Sequence, residues 1–414
     1  MTPHPSSTLE VDIDDLIFDK GGSSDPYLGY AALRERGSSF WSERQRAWLI
    51  TAYDDVLALL RDRRASSDLR AGALASGPRV QALGSRGGWE ALGSVMPLMD
   101  PPDHTRLRRL VGTAFGPRVV ENVRPRIEQT VHRLLDEADE RGTLELMQEF
   151  AFPLTISIVS ELLGVPPEDR SIFRKHSPRM SAFLDFRNMT YRQLRNAVDS
   201  TVALTAYFTT LAERRRAAPG DDLLSALLAA EDDGDVLTHE ELVTMCIVLI
   251  STGHETTMGL IGNGTIALVR NPNEAARLRS DRDLTRPAVE ELIRYDTPVQ
   301  YVIRTAVDDI EVGDVVIRNG EQAILLLGAA NRDPLRFSDP DALRLDRTDT
   351  SQISFGHGIH SCLGAALARI EGQTAIRATF ERFPELACSA PPVWRPTTAV
   401  RSPLRVPLEL NNGW

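Results

Sequence analysis

A short glycine-rich segment that ends in a cysteine constrains this chain more than any other feature. It reads Phe-Gly-His-Gly-Ile-His-Ser-Cys-Leu-Gly over residues 355–364. Gly356 and Gly358 permit a positive-φ backbone that a side chain would resist, and they let the chain approach a flat partner closely. Cys362 then stands just before a predicted helix, whose free N–H groups and positive dipole end favour thiolate over thiol. The segment therefore predicts that Cys362 is a metal ligand.

Composition narrows the class of protein. The other two cysteines, Cys246 and Cys388, lie too far away for a C-x-x-C motif, and an odd count of three does not make a disulfide framework. The net charge of −11 argues against a nucleic-acid binder. No apolar run approaches roughly 18 residues, and residues 1–15 contain no signal-peptide pattern. We therefore expect a cytoplasmic protein without a membrane span or a nucleic-acid partner.

Hydrophobic spacing along the chain predicts one α-rich α+β domain over residues 1–414, with a flexible start at about 1–20. A strand pair is expected within 39–51, followed by a helix at 53–61 and a long loop at 67–99. Thr238 and Glu241 form a capping box that opens a long helix ending near Val269. The remaining expected elements are helices through 117–230, a helix at 286–295, four short strands within 302–327, and a last helix from near Cys362 to Phe383.

The segment 355–364 resembles the haem-ligand loop F-x-x-G-x-x-x-C-x-G of the cytochrome P450 family and fits it at every fixed position. The resemblance implies that Cys362 is the axial ligand of a haem b iron, and that Phe355, Gly356 and Gly364 help to bind the haem. It also implies a mainly α, single-domain fold in which many helices pack around a buried haem beside small antiparallel β-sheets.

A second segment resembles the E-x-x-R motif of the same family, with Glu291 and Arg294 one helical turn apart. The resemblance implies that an arginine farther along the chain joins this pair and braces the core behind the haem. Arg347 and Arg344 both fit that position, and the sequence leaves the choice open. Taken alone, the pair would be read as an ordinary surface ion pair.

A third segment has the spacing H-T-x-x-R, which places His104 and Arg108 one turn apart on a helix face, within reach of one anionic group. The resemblance implies that this group is a haem propionate and that Arg304 and His360 complete the set. Each of these residues, taken singly, is more often a surface residue with its hydrogen bonds satisfied.

The fourth segment lies in the long helix, where helical spacing puts positions 248, 252, 255, 256 and 259 on one face. Glu255 and Thr256 resemble the acid-alcohol pair of the family, which implies that Thr256 holds dioxygen and water while Glu255 relays protons. Gly253 would make room for oxygen. Thr252 departs from the usual Ala or Gly, so a hydrogen bond to a polar substrate is an open alternative to an apolar pocket. The structural alternative for these threonines is a bond back to their own helix.

The resemblance covers the whole chain and implies a haem-thiolate monooxygenase. Its O2 chemistry would draw electrons from NAD(P)H through a ferredoxin reductase and a ferredoxin. The substrate would be a small organic molecule, a secondary-metabolite intermediate, with hydroxylation the expected outcome. Five arginines would form the basic face for an acidic ferredoxin, namely Arg106, Arg109, Arg118, Arg124 and Arg126. The expected pocket residues are Val248, Ser251, Thr252, Val299 and Thr398.

Two other functions are weighed against this one. A non-catalytic haem-binding sensor, or a protein that recruits substrate, would share the fold, but the acid-alcohol pair argues against it. A cysteine hydrolase built on Cys362 and a nearby histidine would leave the glycine pattern without a purpose, and it shows no oxyanion-stabilising groups. Haem absorbance separates the hydrolase from the other two.

Overall fold

Helices make up most of the computed structural model, which describes residues 17–18, 25–68, 71, 95–181, 185, 188–232 and 234–410. Those of the first half are α1 Tyr27–Arg34, α2 Tyr53–Arg61, α3 Asp103–Ala114, α4 Pro117–Asn122, α5 Arg124–Arg141, α6 Phe152–Leu162 and α7 Ser171–Ser181. Those of the second half are α8 Tyr191–Ala217, α9 Leu223–Ala229, α10 His239–Arg270, α11 Pro272–Ser280, α12 Thr285–Tyr295, α13 Leu327–Ala330 and α14 Ala365–Arg382. A π-helical turn, Leu146–Ala151, leads into α6.

The amphipathic pattern explains how these helices pack. In α5 the buried residues recur at intervals of three and four, and they are Ile127, Val131, Leu134, Leu135 and Ala138. Gly142 ends this helix with φ = 70°, a left-handed conformation that favours glycine. Helix α5 packs with α6 and α14 in the largest apolar core of the described residues.

Helix α10 is the axis of the structure. The capping box at Thr238 is present: its hydroxyl accepts from Glu241 N at 3.2 Å, and the Glu241 carboxylate accepts from Thr238 N at 2.9 Å. The helix runs for 32 residues to Arg270, and α11 begins at Pro272. It is buried on most sides because α6, α7, α8, α12 and α14 all pack against it. The sequence-based prediction of this helix is confirmed at both ends.

The strands form small sheets at the side of the helical body. They are β1 Ser39–Ser42, β2 Ala47–Ile50, β3 Ala65–Ser66, β4 Thr143–Glu145, β5 Glu231–Asp232, β6 Asp235–Val236, β7 Val302–Ala306, β8 Ile310–Val312, β9 Val315–Ile317, β10 Gln322–Leu325, β11 Ala387–Cys388, β12 Val393–Trp394, β13 Pro403–Arg405 and β14 Pro407–Glu409. The five-stranded sheet has the order β1-β2-β10-β7-β3. The expectation of antiparallel sheets is wrong for one ladder, because β10 pairs with β2 in parallel. The long connection between these strands allows that direction.

The other predicted elements lie close to the observed ones. The strand pair within 39–51 is β1 and β2, and α2 begins and ends at the predicted residues 53 and 61. The last helix begins at Ala365, so Cys362 precedes it by three residues. Most of the predicted flexible start at 1–20 and of the predicted loop at 67–99 lies outside the described residues. Within the described part of the chain, no helix is both long enough and apolar enough to cross a membrane.

Candidate active site

A cavity of about 290 Å³ lies between α3, α10 and the segment 355–364. Many of the residues singled out from the sequence line it: His104, Arg108, Val248, Thr252, Gly253, Thr256, Val299, Phe355, Gly356, His360, Cys362 and Gly364. Most of the other lining side chains are apolar, among them Met96, Val159, Leu163 and Leu260. Residues that are far apart in the sequence therefore meet around one chamber.

The cysteine segment forms one wall of this cavity. Gly356 and Gly358 have φ values of 68° and 71°, and a Cβ on Gly358 would come within 2.8 Å of the Leu60 carbonyl oxygen. The Cys362 N–H donates to Phe355 O at 2.8 Å, which closes the loop. This tight backbone presents the Cys362 thiol to the cavity.

Two effects oppose each other at the Cys362 thiol. Burial raises its pKa, whereas the N–H groups of Gly364 and Ala365 and the charge of Arg108 lower it. The helix terminus lowers the pKa, as expected, but burial is the larger effect and leaves the pKa of the free thiol raised. The thiol is solvent-accessible only because it borders the cavity. A cation on that side would supply the missing stabilisation of the thiolate.

Positive charge is in excess at one rim of the cavity. Arg304 is buried, and its hydrogen bond is to the carbonyl oxygen of its own neighbour, Ile303, at 2.8 Å. Burial lowers the pKa of Arg304 to about 10, opposed by Asp100, whose carboxylate already accepts from Ser66 and Ser67. Arg304 is not itself among the lining residues, and no described carboxylate forms an ion pair with it, so its burial is costly. An added anion at this rim would remove that cost.

The two predicted histidines lie at the same rim. The rings of His104 and His360 are tilted at 45° to each other with their centroids 4.1 Å apart, and the Nδ1 atom of each is buried without a hydrogen-bond partner among the described residues. Burial, together with Arg304, His104 and Arg108, lowers the pKa of His360 to about 3. Arg108 donates to Ser361 O at 2.8 Å. These groups have unused donor capacity, and they fit the two carboxylates of a haem.

A buried charge cluster lies behind the cysteine segment. Arg294 donates to both carboxylate oxygens of Glu291, at 2.7 and 2.8 Å, and Arg347 Nε donates to the same group at 3.0 Å. Arg344 contributes only its backbone N–H, at 3.0 Å, and its side chain is exposed near Asp339. Of the two arginines between which the sequence left the choice open, Arg347 is therefore the one whose side chain joins Glu291 and Arg294.

Three threonines of α10 donate hydrogen bonds to backbone carbonyl groups of their own helix. The hydroxyls of Thr252, Thr256 and Thr257 donate to the carbonyl oxygens of Val248, Thr252 and Gly253, at 2.7, 2.9 and 3.0 Å. The only hydroxyl proton of Thr252 is therefore used within the helix, so in this conformation its oxygen could meet a polar substrate only as an acceptor, and that contact stays a prediction.

The predicted common face of α10 is divided between two environments. Positions 252, 253, 256 and 257 face the cavity, whereas Glu255 does not line it. Gly259 instead faces Pro298 and the carbonyl oxygen of Arg401. The Glu255 carboxylate pairs with Arg395 at 3.0 Å and lies 3.7 Å from His254 Nε2. Nothing in the sequence pattern indicates Arg395, which comes from the stretch between β12 and β13.

Two expected pocket residues lie elsewhere. Ser251 is buried and is not among the described residues that line the cavity, because it lies about 100° around the helix from Thr252. The Thr398 hydroxyl is engaged with Tyr301 at 3.0 Å and with Asp185 at 2.9 Å. The expected pocket is therefore reduced to Val248, Thr252 and Val299.

Three of the five arginines of the predicted basic face pair with carboxylates, and the side chain of Arg118 lies outside the described part of the structure. Arg106 forms ion pairs with Asp235 and Glu241, Arg124 pairs with Glu121, and Arg126 pairs with Glu161. Local carboxylates therefore offset most of the positive charge that the sequence concentrates there.

Comparison with known proteins agrees with this geometry. The family model "Cytochrome P450" matches residues 82–396. Cytochrome P450 107B1 of Saccharopolyspora erythraea is 42% identical over 95% of this chain and 97% of its own length. Polyketide biosynthesis cytochrome P450 PksS of Bacillus subtilis is 38% identical over 88% of this chain and 89% of its own length. The crystal structure of P450BioI in complex with a fatty-acid-ligated acyl carrier protein has a TM-score of 0.87 at 35% identity and covers 94% of this chain and 98% of that chain.

These relatives define a class of haem-containing oxidoreductases with one shared fold. The chain belongs to the cytochrome P450 family. It is a monooxygenase, and its cofactor is haem b.

Proposed function

We propose that Cys362 is the axial thiolate ligand of the haem iron and that the enzyme hydroxylates an apolar intermediate of secondary metabolism. One observation carries the proposal. A single cavity has the Cys362 thiol on one wall, Gly253 and Thr256 of α10 on another, and His104, Arg108 and His360 at its rim. This arrangement provides an iron ligand, a site for oxygen chemistry and an anion cradle in one enclosed space.

The chain's own residues would hold the cofactor as follows. Cys362 would bind the iron, and Phe355, Gly356 and Gly364 would lie against the ring because they share the cysteine wall. Arg304, His104, Arg108 and His360 would bind the propionates, which would relieve the uncompensated charge of Arg304. When bound, the thiolate-ligated haem supplies the O–O bond cleavage that the side chains cannot perform.

Helix α10 would supply the polar groups of the reaction. The Thr256 hydroxyl lies at the cavity, and its oxygen can still accept a hydrogen bond while it donates to Thr252 O. It would therefore hold a water molecule or a protonated group next to the reacting oxygen. Glu255, the preceding residue, would provide the protons once its carboxylate leaves Arg395 and turns toward the cavity. Gly253 presents no side chain and leaves room on the cavity side.

The substrate would be apolar where it meets the cavity. Val248, Val299 and Thr252 line the space, and the Thr252 hydroxyl proton is engaged with Val248 O. A substrate carbonyl at this depth would lose its hydrogen bonds to water and would find the hydroxyl protons of Thr252 and Thr256 already engaged. The polyketide biosynthesis assignment of PksS supports a secondary-metabolite intermediate of this kind.

Electrons would come from NAD(P)H through a reductase and a ferredoxin. The outer side of the cysteine segment supports a docking site, since the exposed Arg61 contacts His357 at 3.2 Å and Ile359 is half exposed. An acidic ferredoxin on this side would approach Cys362 by the shortest path through the protein. Its association should weaken as salt is added, because exposed charges are screened.

The test is reconstitution of the holoenzyme with NADPH, a ferredoxin and its reductase under isotope-labelled O2. We expect one labelled oxygen atom in the product of an apolar substrate. Thr256→Ala should keep the haem but release more hydrogen peroxide per NADPH consumed. Haem binding without product from any apolar candidate would favour the non-catalytic sensor, and unchanged coupling in Thr256→Ala would remove its proposed role.

A further inference from the structure

The surroundings of Glu255 contain a histidine that the proposed mechanism does not use. His254 and Glu255 are both buried, with 0% and 2% of their surface exposed. The Nε2 atom of His254 lies 3.7 Å from Oε2 of Glu255. Neither atom has a hydrogen-bond partner among the residues that the structure describes. Two buried polar atoms that face each other without a partner need an explanation.

The position of the ring proton of His254 follows from its other contact. Nδ1 lies 2.7 Å from the carbonyl oxygen of Ile250. A carbonyl oxygen only accepts, so Nδ1 must carry the hydrogen. Nε2 of the neutral ring is then a bare acceptor, and it faces a carboxylate oxygen that is also an acceptor. One proton placed between Nε2 of His254 and Oε2 of Glu255 would give both acceptors a hydrogen-bond partner.

Arg395 fixes the other side of the carboxylate. Its guanidinium pairs with Oε1 of Glu255 at 3.0 Å, which leaves Oε2 directed toward His254. The Arg395 side chain is 16% exposed, so this edge of the group reaches solvent. A proton that enters beside Arg395 would not cross the substrate cavity, because Arg395 is not among the described residues that line it.

The other groups that contact His254 do not compete for a proton between its Nε2 atom and Glu255. The Oγ atom of Ser177 in α7 lies 3.3 Å from Nδ1, and the ring of Phe152 in α6 packs edge-on at 5.9 Å. Among the described residues, the charges that act on His254 are those of Glu255 and Arg395. Burial lowers the pKa of His254, so the ring is neutral at rest and Nε2 is free to accept.

We infer that His254 and Glu255 share one proton between Nε2 and Oε2, that Arg395 positions the carboxylate, and that this pair is the proton-loading site of the enzyme. The inference rests on the proposed role of Glu255 as proton donor. The transfer is balanced: a proton that enters from solvent beside Arg395 binds to His254 at Nε2, that N–H bond breaks as the Oε2–H bond of Glu255 forms, and His254 returns to its neutral form. His254 and Arg395 are thus positioning residues that act through Glu255.

Nuclear magnetic resonance of ring-labelled histidine in the reduced, carbon-monoxide-bound holoenzyme tests the geometry without turnover. We expect His254 to carry its proton on Nδ1, with an Nε2 signal that shifts in Glu255→Gln. A proton on Nε2 with a bare Nδ1, or an Nε2 signal that ignores Glu255→Gln, would overturn the inference.

Turnover provides the second readout. In His254→Asn the amide nitrogen replaces Nδ1 and can still donate to Ile250 O, but nothing replaces Nε2. We expect about tenfold more peroxide per product and a larger solvent isotope effect. The effect should be smaller than the loss of a proton donor itself would cause, because His254 acts through Glu255. Arg395→Gln should behave similarly, and Arg395→Lys should restore most of the coupling.

His176→Asn is the matched control. This histidine lies on α7, and its Nδ1 contacts Ser200 Oγ at 3.1 Å, away from the pair. Equal coupling in His254→Asn and His176→Asn, with normal product from the wild type, would refute the loading site and leave the proposed function intact. A wild type that binds no haem or forms no product would instead refute the proposed function.

Discussion

Replacing Glu291 by glutamine should destabilise the enzyme far more than the same change at the preceding residue. The Glu291 carboxylate is 2% exposed, and it neutralises Arg294 and Arg347, whose side chains are 1% and 6% exposed. An amide has the same shape, but it carries no charge, and its NH2 group would face guanidinium donors. Glu291→Gln therefore leaves two buried guanidinium groups without a counter-charge.

The magnitude follows from this burial. Removing one partner of a buried ion pair costs about 3–5 kcal/mol. The entropy of unfolding is roughly 2.1 cal/mol/K per residue, so for 414 residues a loss of about 4 kcal/mol lowers the Tm by about 5 °C. Arg294 keeps its bonds to Asn331 O and Pro340 O, at 2.8 and 2.9 Å, which keeps the cost from rising further. The assay is urea and thermal denaturation of the holoenzyme followed by circular dichroism.

Glu290→Gln is the internal control. Glu290 pairs with Arg369 at 2.5 Å, but these side chains are 15% and 34% exposed, so the change should cost at most about 1 kcal/mol. Equal losses in Glu290→Gln and Glu291→Gln would refute the argument that burial sets the strength of the Glu291 cluster.

Further predictions concern buried groups of the same region. Glu371 in α14 is 2% exposed, and burial raises its pKa well above 4.5. In the folded protein its carboxyl group therefore keeps a proton above pH 4.5, whereas in the unfolded chain it releases that proton. The wild type should therefore lose stability with rising pH relative to Glu371→Gln, by about 1–3 kcal/mol between about pH 5 and about pH 8; parallel pH–stability curves in urea would contradict this. Arg304→Gln should accelerate haem transfer to a haem-scavenging protein about 10- to 100-fold at equal folding, since a charged hydrogen bond contributes about 1.5–3 kcal/mol; an unchanged transfer rate would place the propionates elsewhere. Thr252→Val should leave the affinity for an apolar substrate within about twofold in a spectral titration, because the hydroxyl already donates to Val248 O; a large loss would show that the hydroxyl contacts substrate.

The helical framework could be predicted from local signals in the sequence. The capping box at Thr238 and the stop at Asn271-Pro272 define α10 at both ends. The strand pair β1 and β2 follows from alternation around residues 43–46. The parallel ladder between β10 and β2 could not be predicted in this way, because it joins segments that only the tertiary fold brings together.

Residues of the site were predicted where a motif fixed their spacing. His104 and Arg108 lie at the cavity as expected, because one helical turn separates them. Side-chain direction was harder to predict. Glu255 and Thr256 are adjacent in sequence, yet only Thr256 lines the cavity, and the Glu255 carboxylate instead pairs with Arg395. Arg395 belongs to no motif, so it could be found only in the folded chain.

The arginines near α3 show the same limit. The sequence places Arg106, Arg124 and Arg126 close together, but it does not reveal that each has an acidic partner within 3.4 Å. Glu241 and Asp235, which pair with Arg106, lie more than a hundred residues farther along the chain. The net charge of a surface region therefore depends on ion pairs between residues far apart in the sequence, which composition does not reveal.

The most direct test of Cys362 as the haem ligand is the visible spectrum of the purified protein after reduction and exposure to carbon monoxide. We expect the strongly red-shifted Soret band of a thiolate-ligated haem in the wild type and in Cys388→Ala, since Cys388 lies in β11 and does not line the cavity. Cys362→Ala should lose that band. A wild-type spectrum typical of histidine- or thiol-ligated haem, or a red-shifted band that survives in Cys362→Ala, would contradict the assignment.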